Sequence, residues 1–207
     1  AQGDVIDYMR SVDFQTGVAT VHWADDRGAF ERKMFVSRAD KVVVLQITGP
    51  KAGSVNCRLQ LTPRTLSDKI NEKTRQRSND RFSTHIADVN TLADPSFLTF
   101  TNSFAKAYPG SIHNLEGVAK VVATGGRAST KDSIMTITGA DQVLVLVDIQ
   151  LIYNPRHALL AETKERLSAI TPNFTALLKR HVPIHGGMFM RMQLNVGGNP
   201  KDHGRTT

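Results

Sequence analysis

Residues 18–47 read VATVHWADDRGAFERKMFVSRADKVVVLQI, and they predict the fold class more clearly than any other part of the chain. The first residues alternate so that Ala19, Val21 and Trp23 share one face, the period-two pattern of a strand with a buried side. The DDRG sequence that follows supplies turn-forming residues, and residues 29–36 return as a second strand. This stretch therefore predicts a β-hairpin within a sheet.

Short strand-like segments recur along the first three quarters of the chain. They cover residues 41–47, 54–61, 97–101, 117–123, 133–138 and 142–149. The first of them is nearly all aliphatic, which indicates a central strand covered on both faces. Many short strands with almost no helical period predict antiparallel sheets packed face to face. We expect a mainly β protein with a large antiparallel β-sandwich over residues 1–152.

The predicted strands also predict which side chains are buried. The expected core positions are Val18, Val21, Phe35, Val43, Leu45, Leu144 and Leu146. The single cysteine, Cys57, excludes an internal disulfide, and its alternation with Val55 and Leu59 predicts a small buried residue. The longest apolar stretch, residues 143–147, is far shorter than the roughly 20 residues that cross a bilayer, so we predict no membrane span.

The chain is basic, with 26 lysines and arginines against 19 aspartates and glutamates and a net charge of +7. This balance favours a polyanionic partner. Basic residues concentrate only in and after a predicted long surface loop at residues 62–76. They are Lys69, Lys73, Arg75, Arg77 and Arg81, and Lys73, Arg75 and Arg77 are expected to be exposed. Because no nucleic-acid recognition motif accompanies them, we predict no nucleic-acid partner, with a basic polyanion-binding domain as an alternative.

The periodicity becomes helical after residue 154. Leu160, Leu167 and Ile170 lie on one face of a predicted helix between two prolines, with charged residues facing outward. We expect residues 153–207 to form a short helical linker.

A second apolar run at helical spacing follows Thr171, whose hydroxyl is predicted to cap the helix, and Pro172, which suits a first helical position. Its members are Phe174, Leu177, Leu178, His181, His185, Met188, Phe189 and Met192. Because Pro183 and Gly186-Gly187 interrupt it, we expect a kinked helix or two short ones. Its apolar face should leave a sticky surface that self-associates or binds a missing domain.

Few side chains suggest chemistry. His181 and His185 are four residues apart on one helical face, as in metal sites, but no third ligand accompanies them, so we predict packing and hydrogen-bonding roles and no metal. The acidic residues lie mostly beside turns and strand ends, where carboxylates cap the backbone. Examples are Asp13, Glu31, Asp40, Asp88 and Asp141. We therefore predict no catalytic residue and no cofactor in this chain.

Four aromatic side chains are candidates for stacking on a sugar ring. They are Tyr8, Trp23, Tyr108 and Tyr153. Trp23 lies on an alternating strand face, so we predict a core role for it. A free-standing carbohydrate-binding module, the second alternative, requires an exposed aromatic platform instead.

Spaced motifs along the chain resemble one known module, the amino-terminal β-sandwich of glycoside hydrolase family 95. The matching residues are Tyr8, Arg10, Asp13, Thr16, Gly17, Arg32, Phe35 and Ser37, with Lys33 where glutamate is usual. The resemblance resumes at residues 138–141 and 181–197. Family 95 contains inverting α-L-fucosidases and related α-L-galactosidases. Arg10 and Arg32 occupy motif positions where we expect structural contacts.

The resemblance implies a non-catalytic domain fragment, because the catalytic carboxylates of that family lie in a downstream (α/α)6 barrel. We expect the chain to end before this barrel, to support it and to contribute to a wall of the substrate cleft. The implied partners are the barrel and, through the parent enzyme, a fucosylated glycan. The implied location is periplasmic or secreted.

Overall fold

The computed structural model describes residues 4–62, 86–106, 108–154 and 156–192. Beyond residue 62 the predicted surface loop lies outside these ranges. The same applies to the basic residues in and after this loop, which are Lys69, Lys73, Arg75, Arg77 and Arg81. No helix among the described residues is both long enough and apolar enough to span a membrane.

The described residues form eleven strands followed by two helices. The strands are β1 Ile6–Asp13, β2 Val18–Asp25, β3 Gly28–Ser37, β4 Val42–Thr48, β5 Val55–Leu59, β6 Ile86–Ala93, β7 Phe97–Phe104, β8 Asn114–Thr124, β9 Arg127–Lys131, β10 Ile134–Ala140 and β11 Gln142–Ile152. The helices are α1 Leu160–Ala169 and α2 Phe174–Phe189. The predicted hairpin is confirmed as β2 and β3, with Trp23 opposite Phe30.

The strands form two antiparallel sheets. The large sheet has the order β1-β2-β3-β4-β11-β8-β7-β6, and the small sheet has the order β5-β10-β9. The first four strands form a meander, and β11 then inserts between β4 and β8. Val145 of β11 consequently pairs with Leu45 on one side and Val121 on the other. The predicted mainly β, antiparallel fold is confirmed.

The hydrophobic core lies on both faces of the large sheet. In β11, Leu144 and Leu146 belong to a cluster that includes residues of α1 and α2, whereas Val143 and Val145 pack with the small sheet. The predicted sandwich therefore corresponds to two of three layers. The small sheet packs on one face of the large sheet, and the helices form the third layer on its other face. Strand β4 is covered on both faces, as its aliphatic sequence predicted.

The burial of each core position depends on which layer covers its face of the large sheet. Phe35, Leu144 and Leu146 are buried, as predicted. The other four predicted core residues are only half-buried: Val18, Val21, Val43 and Leu45. On β4 the fully buried positions are instead Val42 and Val44, which face the helices. Val21, Val43 and Leu45 lie on the opposite face, which the small sheet covers less completely, whereas Val18 packs at the margin of the helix-side cluster.

The small sheet leaves part of the large sheet uncovered. Arg32 and Met34 of β3 pair with Ile47 and Leu45 of β4, so all four face the same side of the large sheet. Leu45 and Ile47 pack against the small-sheet cluster, but Arg32 and Met34 are exposed. The cover therefore ends between β4 and β3.

Helix α1 packs as predicted, with Leu167 buried and Leu160 and Ile170 against the same cluster. The side-chain ammonium of Lys120 donates to the carbonyls of Leu167, Ser168 and Ile170 at 3.1, 3.2 and 3.4 Å. A cation at this position satisfies terminal carbonyls and matches the negative end of the helix dipole.

Two predictions about α2 are wrong. The cap is Asn173 instead of Thr171, and its side-chain oxygen accepts the backbone N–H of Ala176 at 2.9 Å. Because the helix begins at Phe174, Pro172 precedes the cap and does not occupy the first helical position. Of the two alternatives expected around Pro183, a kinked helix or two short ones, the structure excludes two helices, because one helix continues through Pro183. Tertiary packing outweighs the unfavourable propensities, since Leu177 and His181 are buried against the sheet.

Candidate functional site

A groove of about 860 Å³ lies between the uncovered part of the large sheet and the edge of the small sheet. We call it the intersheet groove. Its residues from the large sheet and the β2–β3 turn are Trp23, Arg27, Phe30, Arg32, Leu45 and Ile47. Its residues from the small sheet are Val55, Asn56, Cys57, Arg58, Leu59, Thr136, Ile137 and Thr138. Ligand pockets commonly have volumes of about 300–1,000 Å³, so the groove has the size of a binding site.

An aromatic pair occupies one end of the groove. Because Trp23 and Phe30 are directly opposite on β2 and β3, their rings stack with centroids 5.5 Å apart and planes 12° apart. Phe30 is buried, whereas Trp23 is half-buried. The predicted core role of Trp23 is therefore correct only in part, because the indole also lines the groove.

The β2–β3 turn fixes an arginine beside this pair. The Arg27 guanidinium lies 4.9 Å from the centre of the Phe30 ring, and its Nε donates to Asp25 Oδ1 at 3.0 Å. Asp25 is buried. The hydrogen bond from the Arg27 side chain is the main cause that lowers the pKa of Asp25 to about 2, so the pair is ionised at neutral pH.

Two further arginines line the groove without a counter-charge. Arg32 and Arg58 are exposed, and neither forms an ion pair within the part of the chain that the structure describes. The structural contact predicted for Arg32 is therefore not found there. None of the lining residues is acidic. The lining residues therefore carry an excess of positive charge.

The single cysteine lies in the same groove. Cys57 is half-buried between Val55 and Leu59 on β5, and burial raises the pKa of its thiol. The thiol is therefore predominantly protonated at neutral pH, although Cys57 is less buried than the sequence predicted.

The histidine pair, His181 and His185, lies on the other face of the large sheet. His181 Nδ1 accepts the backbone N–H of Arg38 at 3.1 Å, and its Nε2 lies 3.1 Å from the Thr16 carbonyl. A backbone N–H can only donate, so His181 carries its proton on Nε2. His185 Nε2 lies 3.0 Å from the carbonyl of Phe14. The predicted hydrogen-bonding role of the pair is confirmed.

The geometry of His181 also bears on metal binding. Both of its ring nitrogens have hydrogen-bond partners, so neither is free to bind a metal in this arrangement. Desolvation by burial is the main cause that lowers the pKa of His181. The described ranges contain no group of three or more His, Cys, Asp or Glu side chains that could hold a metal ion.

Most of the acidic residues singled out by the sequence bond to nearby backbone or cations. Asp13 Oδ1 accepts the N–H groups of Gln15 and Thr16, and the hydrogen bond from the Thr16 side chain is the main cause that lowers the pKa of Asp13. Asp141 accepts the N–H of Gly53 at 2.8 Å. Glu31 and Asp40 pair with Lys33 and Arg180.

The predicted sugar-stacking residues do not form one platform. Tyr8, Tyr108 and Tyr153 are exposed. Tyr8 is on the edge strand β1, whereas Tyr108 follows β7 and Tyr153 follows β11. Strands β2, β3 and β4 lie between β1 and these two strands in the large sheet. Of these four aromatic residues, Trp23 is the one that lines the intersheet groove. Sequence reasoning missed Phe30, Arg27 and Arg58, although the hairpin register indicates that Phe30 is opposite Trp23.

Comparison with known proteins identifies the module. Residues 1–156 match the family described as glycosyl hydrolase family 65, N-terminal domain. No curated protein matches the chain. Among solved structures, a human-microbiome protein described as a kojibiose phosphorylase aligns with a TM-score of 0.55 and 10% identity, over 89% of this chain and 25% of that chain. This likeness supports the fold alone.

The family match corrects the resemblance in part. The motifs pointed to an N-terminal domain of glycoside hydrolase family 95, whereas the match is to family 65, and the glycoside hydrolase N-terminal domain is common to both. The chain spans about a quarter of the length of the aligned structure. On the match over residues 1–156, the chain belongs to the family of N-terminal domains of glycosyl hydrolase family 65.

Proposed function

We propose that this chain is the non-catalytic N-terminal domain of a larger glycoside hydrolase and that it supports a separate catalytic barrel. The family match over residues 1–156 carries the proposal. The aligned solved structure also supports the proposal, because this chain aligns with only about a quarter of it and the other three quarters lie outside the aligned region.

The end of α2 supplies a surface for that support. Its exposed apolar side chains are Ile184, Met188, Phe189, Met190 and Met192. Phe14, from the β1–β2 turn, stacks on Phe189 with the ring centres 6.5 Å apart and is also exposed. Contiguous exposed apolar groups often mark interaction sites. The rest of the predicted sticky face is covered, since Phe174 and Leu177 pack in the core.

For the substrate we propose α-L-fucosides, hydrolysed with inversion by the parent enzyme in the periplasm or outside the cell. The sequence motifs shared with family 95 support this choice, in particular Tyr8, Arg10 and Asp13 at the start and residues 138–141 later. Contribution of the domain to a cleft wall belongs to the same proposal.

The test compares the full-length parent with this 207-residue chain. Both are incubated with an oligosaccharide that carries a terminal α-1,2-linked fucose, and released fucose is measured by proton NMR. We expect release by the parent alone, with β-L-fucose as the first anomer, because inversion converts the α-linkage.

Three outcomes would change the proposal. Fucose release by the chain at the parent's rate would contradict a non-catalytic role. Hydrolysis of a matched α-L-galactoside in place of the fucoside would replace the substrate. Formation of glucose 1-phosphate from kojibiose and phosphate, without fucose release, would overturn the fucosidase assignment in favour of the activity for which the structural neighbour is named.

A further inference from the structure

The intersheet groove combines features that the support of a barrel does not require. It holds the only tryptophan and the only cysteine of the chain. It also holds three arginines and no acidic lining residue. The exposed apolar patch at the end of α2 is formed by different residues, so the groove is distinct from the proposed support surface.

The aromatic pair suits a ring ligand. The indole of Trp23 rests on the buried ring of Phe30, which limits its rotation. An ordered aromatic face beside open space can stack on the apolar C–H face of a pyranose. Phe30 is itself buried, so the groove offers one stacking position instead of a series.

Polar groups around the pair can bind the ring substituents. Thr136 and Thr138 belong to the part of the lining that comes from the small sheet. Strand β5 is an edge of the small sheet and pairs only with β10 among the described strands, so the backbone on its other side can also donate and accept. Hydroxyl and backbone groups of this kind fix the orientation of sugar hydroxyls.

The charges indicate the class of sugar. Arg27 is neutralised by Asp25, but Arg32 and Arg58 have no ion-pair partner among the described residues. Guanidinium groups bind carboxylate or sulfate through two parallel hydrogen bonds. We propose that the intersheet groove binds an anionic oligosaccharide, in which one pyranose stacks on Trp23 and acidic substituents pair with Arg32 and Arg58.

A nucleic acid would also be attracted by arginines. Proteins that bind single strands generally stack successive bases on several aromatic side chains along a positive channel. The groove has one available indole, and its lining from the small sheet contains no aromatic side chain. The lining therefore favours a short anionic glycan over a polynucleotide.

The experiment uses the 207-residue chain and the two reporters that the groove contains. Trigalacturonic acid is titrated at low salt while tryptophan fluorescence is recorded, and Cys57 alkylation by iodoacetamide is timed with and without the ligand. We expect a saturable fluorescence change and slower alkylation with the same half-saturation concentration. Maltotriose, a neutral trisaccharide, should bind at least about tenfold more weakly, since it lacks the charge-assisted hydrogen bonds. A sulfated trisaccharide shows whether carboxylate or sulfate is preferred.

Matched arginine variants locate the site. Arg32→Ala and Arg58→Ala should each weaken binding by roughly tenfold or more. Arg127→Ala removes the same charge from an exposed position on β9 that does not line the groove, and it should change affinity by less than about twofold. Circular dichroism checks that all three variants are folded.

Several results would overturn the inference. Equal binding of maltotriose would remove the charge argument, and equal losses in all three variants would show that net charge alone is responsible. Binding that leaves both Trp23 and Cys57 unaffected would place the site elsewhere. Tighter binding of a thymidine hexanucleotide, with the same arginine dependence, would assign the groove to nucleic acid. Each result leaves the fucose-release test of the parent enzyme unaffected.

Discussion

His181 connects three distant parts of the chain. Through its two ring nitrogens it joins α2 to the β1–β2 turn at Thr16 and to the β3–β4 connection at Arg38. Gly17 allows this approach, because it has a φ of +68° and a Cβ there would lie 3.0 Å from His185 Nε2. The position beside the histidine pair therefore requires a residue that has no Cβ and that readily adopts a left-handed backbone conformation.

Protonation of His181 should destabilise the fold. Desolvation by burial, and then the charges of His185 and Arg38, lower its pKa below the ordinary 6.5, while the contact with Thr16 opposes this shift. Below pH 6.5 the unfolded chain therefore binds more protons at this histidine than the folded chain does. The free energy of unfolding consequently decreases as the pH is lowered from 6.5. We expect the thermal midpoint of the wild type to fall more steeply below this pH than that of His181→Gln, measured by circular dichroism.

The control for this experiment is His157→Gln, which removes an exposed histidine from the segment before α1. It should retain the wild-type slope. An unchanged slope in His181→Gln would show that His181 does not cause the acid sensitivity.

The hydrogen-bond partners of this histidine pair could not be predicted from the sequence. The spacing of His181 and His185 placed both on one helical face. Their partners, however, are mainly backbone groups of Phe14, Thr16 and Arg38, which lie 143 to 171 positions away in sequence. A backbone carbonyl or N–H has no residue-type signature, so neither its contact nor the resulting tautomer can be predicted from composition or spacing.

At the scale of elements, α2 shows how packing competes with propensity. Gly186 and Gly187 are adjacent in one helix, but a Cβ at Gly186 would lie 3.2 Å from the Gln15 carbonyl, whereas a Cβ at Gly187 meets nothing within 4 Å. We expect Gly187→Ala to stabilise the protein by about 0.5–1 kcal/mol through helix propensity. Urea unfolding at neutral pH provides the measurement.

Gly186→Ala is the matched comparison, because it makes the same change one position earlier. The contact with Gln15 should cancel most of the gain or make the variant less stable than wild type. Equal stabilisation by both substitutions would mean that α2 does not pack closely on the β1–β2 turn.

Two of the three strands that the sequence failed to predict, β1 and β9, share a physical reason. No predicted segment corresponds to β1, β6 or β9, and all three are edge strands of their sheets. Every side chain of β1 and β9 is exposed. Alternation arises when one face of a strand is buried, so a strand with neither face buried has no such pattern. Strands β2, β3, β4 and β11 have buried positions and were predicted.

At the scale of the whole molecule, stability should depend on the two core layers. Leu146 is fully buried against the helices, whereas Leu92 on β6 is largely exposed. We expect Leu146→Ala to cost about 2–5 kcal/mol of unfolding free energy and Leu92→Ala to cost less than about 0.5, both measured by urea unfolding. Similar losses in the two variants would show that the β6 edge is covered in solution.

The sequence predicted the fold class but not the layer arrangement. Strand alternation establishes which faces are apolar, yet the insertion of β11 between β4 and β8 depends on pairing between distant segments. The intersheet groove arises in the same way, because Trp23 and Cys57 meet only when the small sheet packs on the large one. Local pattern carries no information about such pairings.

The position of β11 also has a consequence for synthesis. Val44 pairs with Leu146, about one hundred positions later, so β4 emerges from the ribosome long before its second neighbour exists. During that interval the meander of β1 to β4 presents an unpaired, aliphatic strand edge that other chains can join. Folding of this domain is therefore a late event, completed only when nearly the whole β portion has been translated, and β4 is the segment that a chaperone would need to shield.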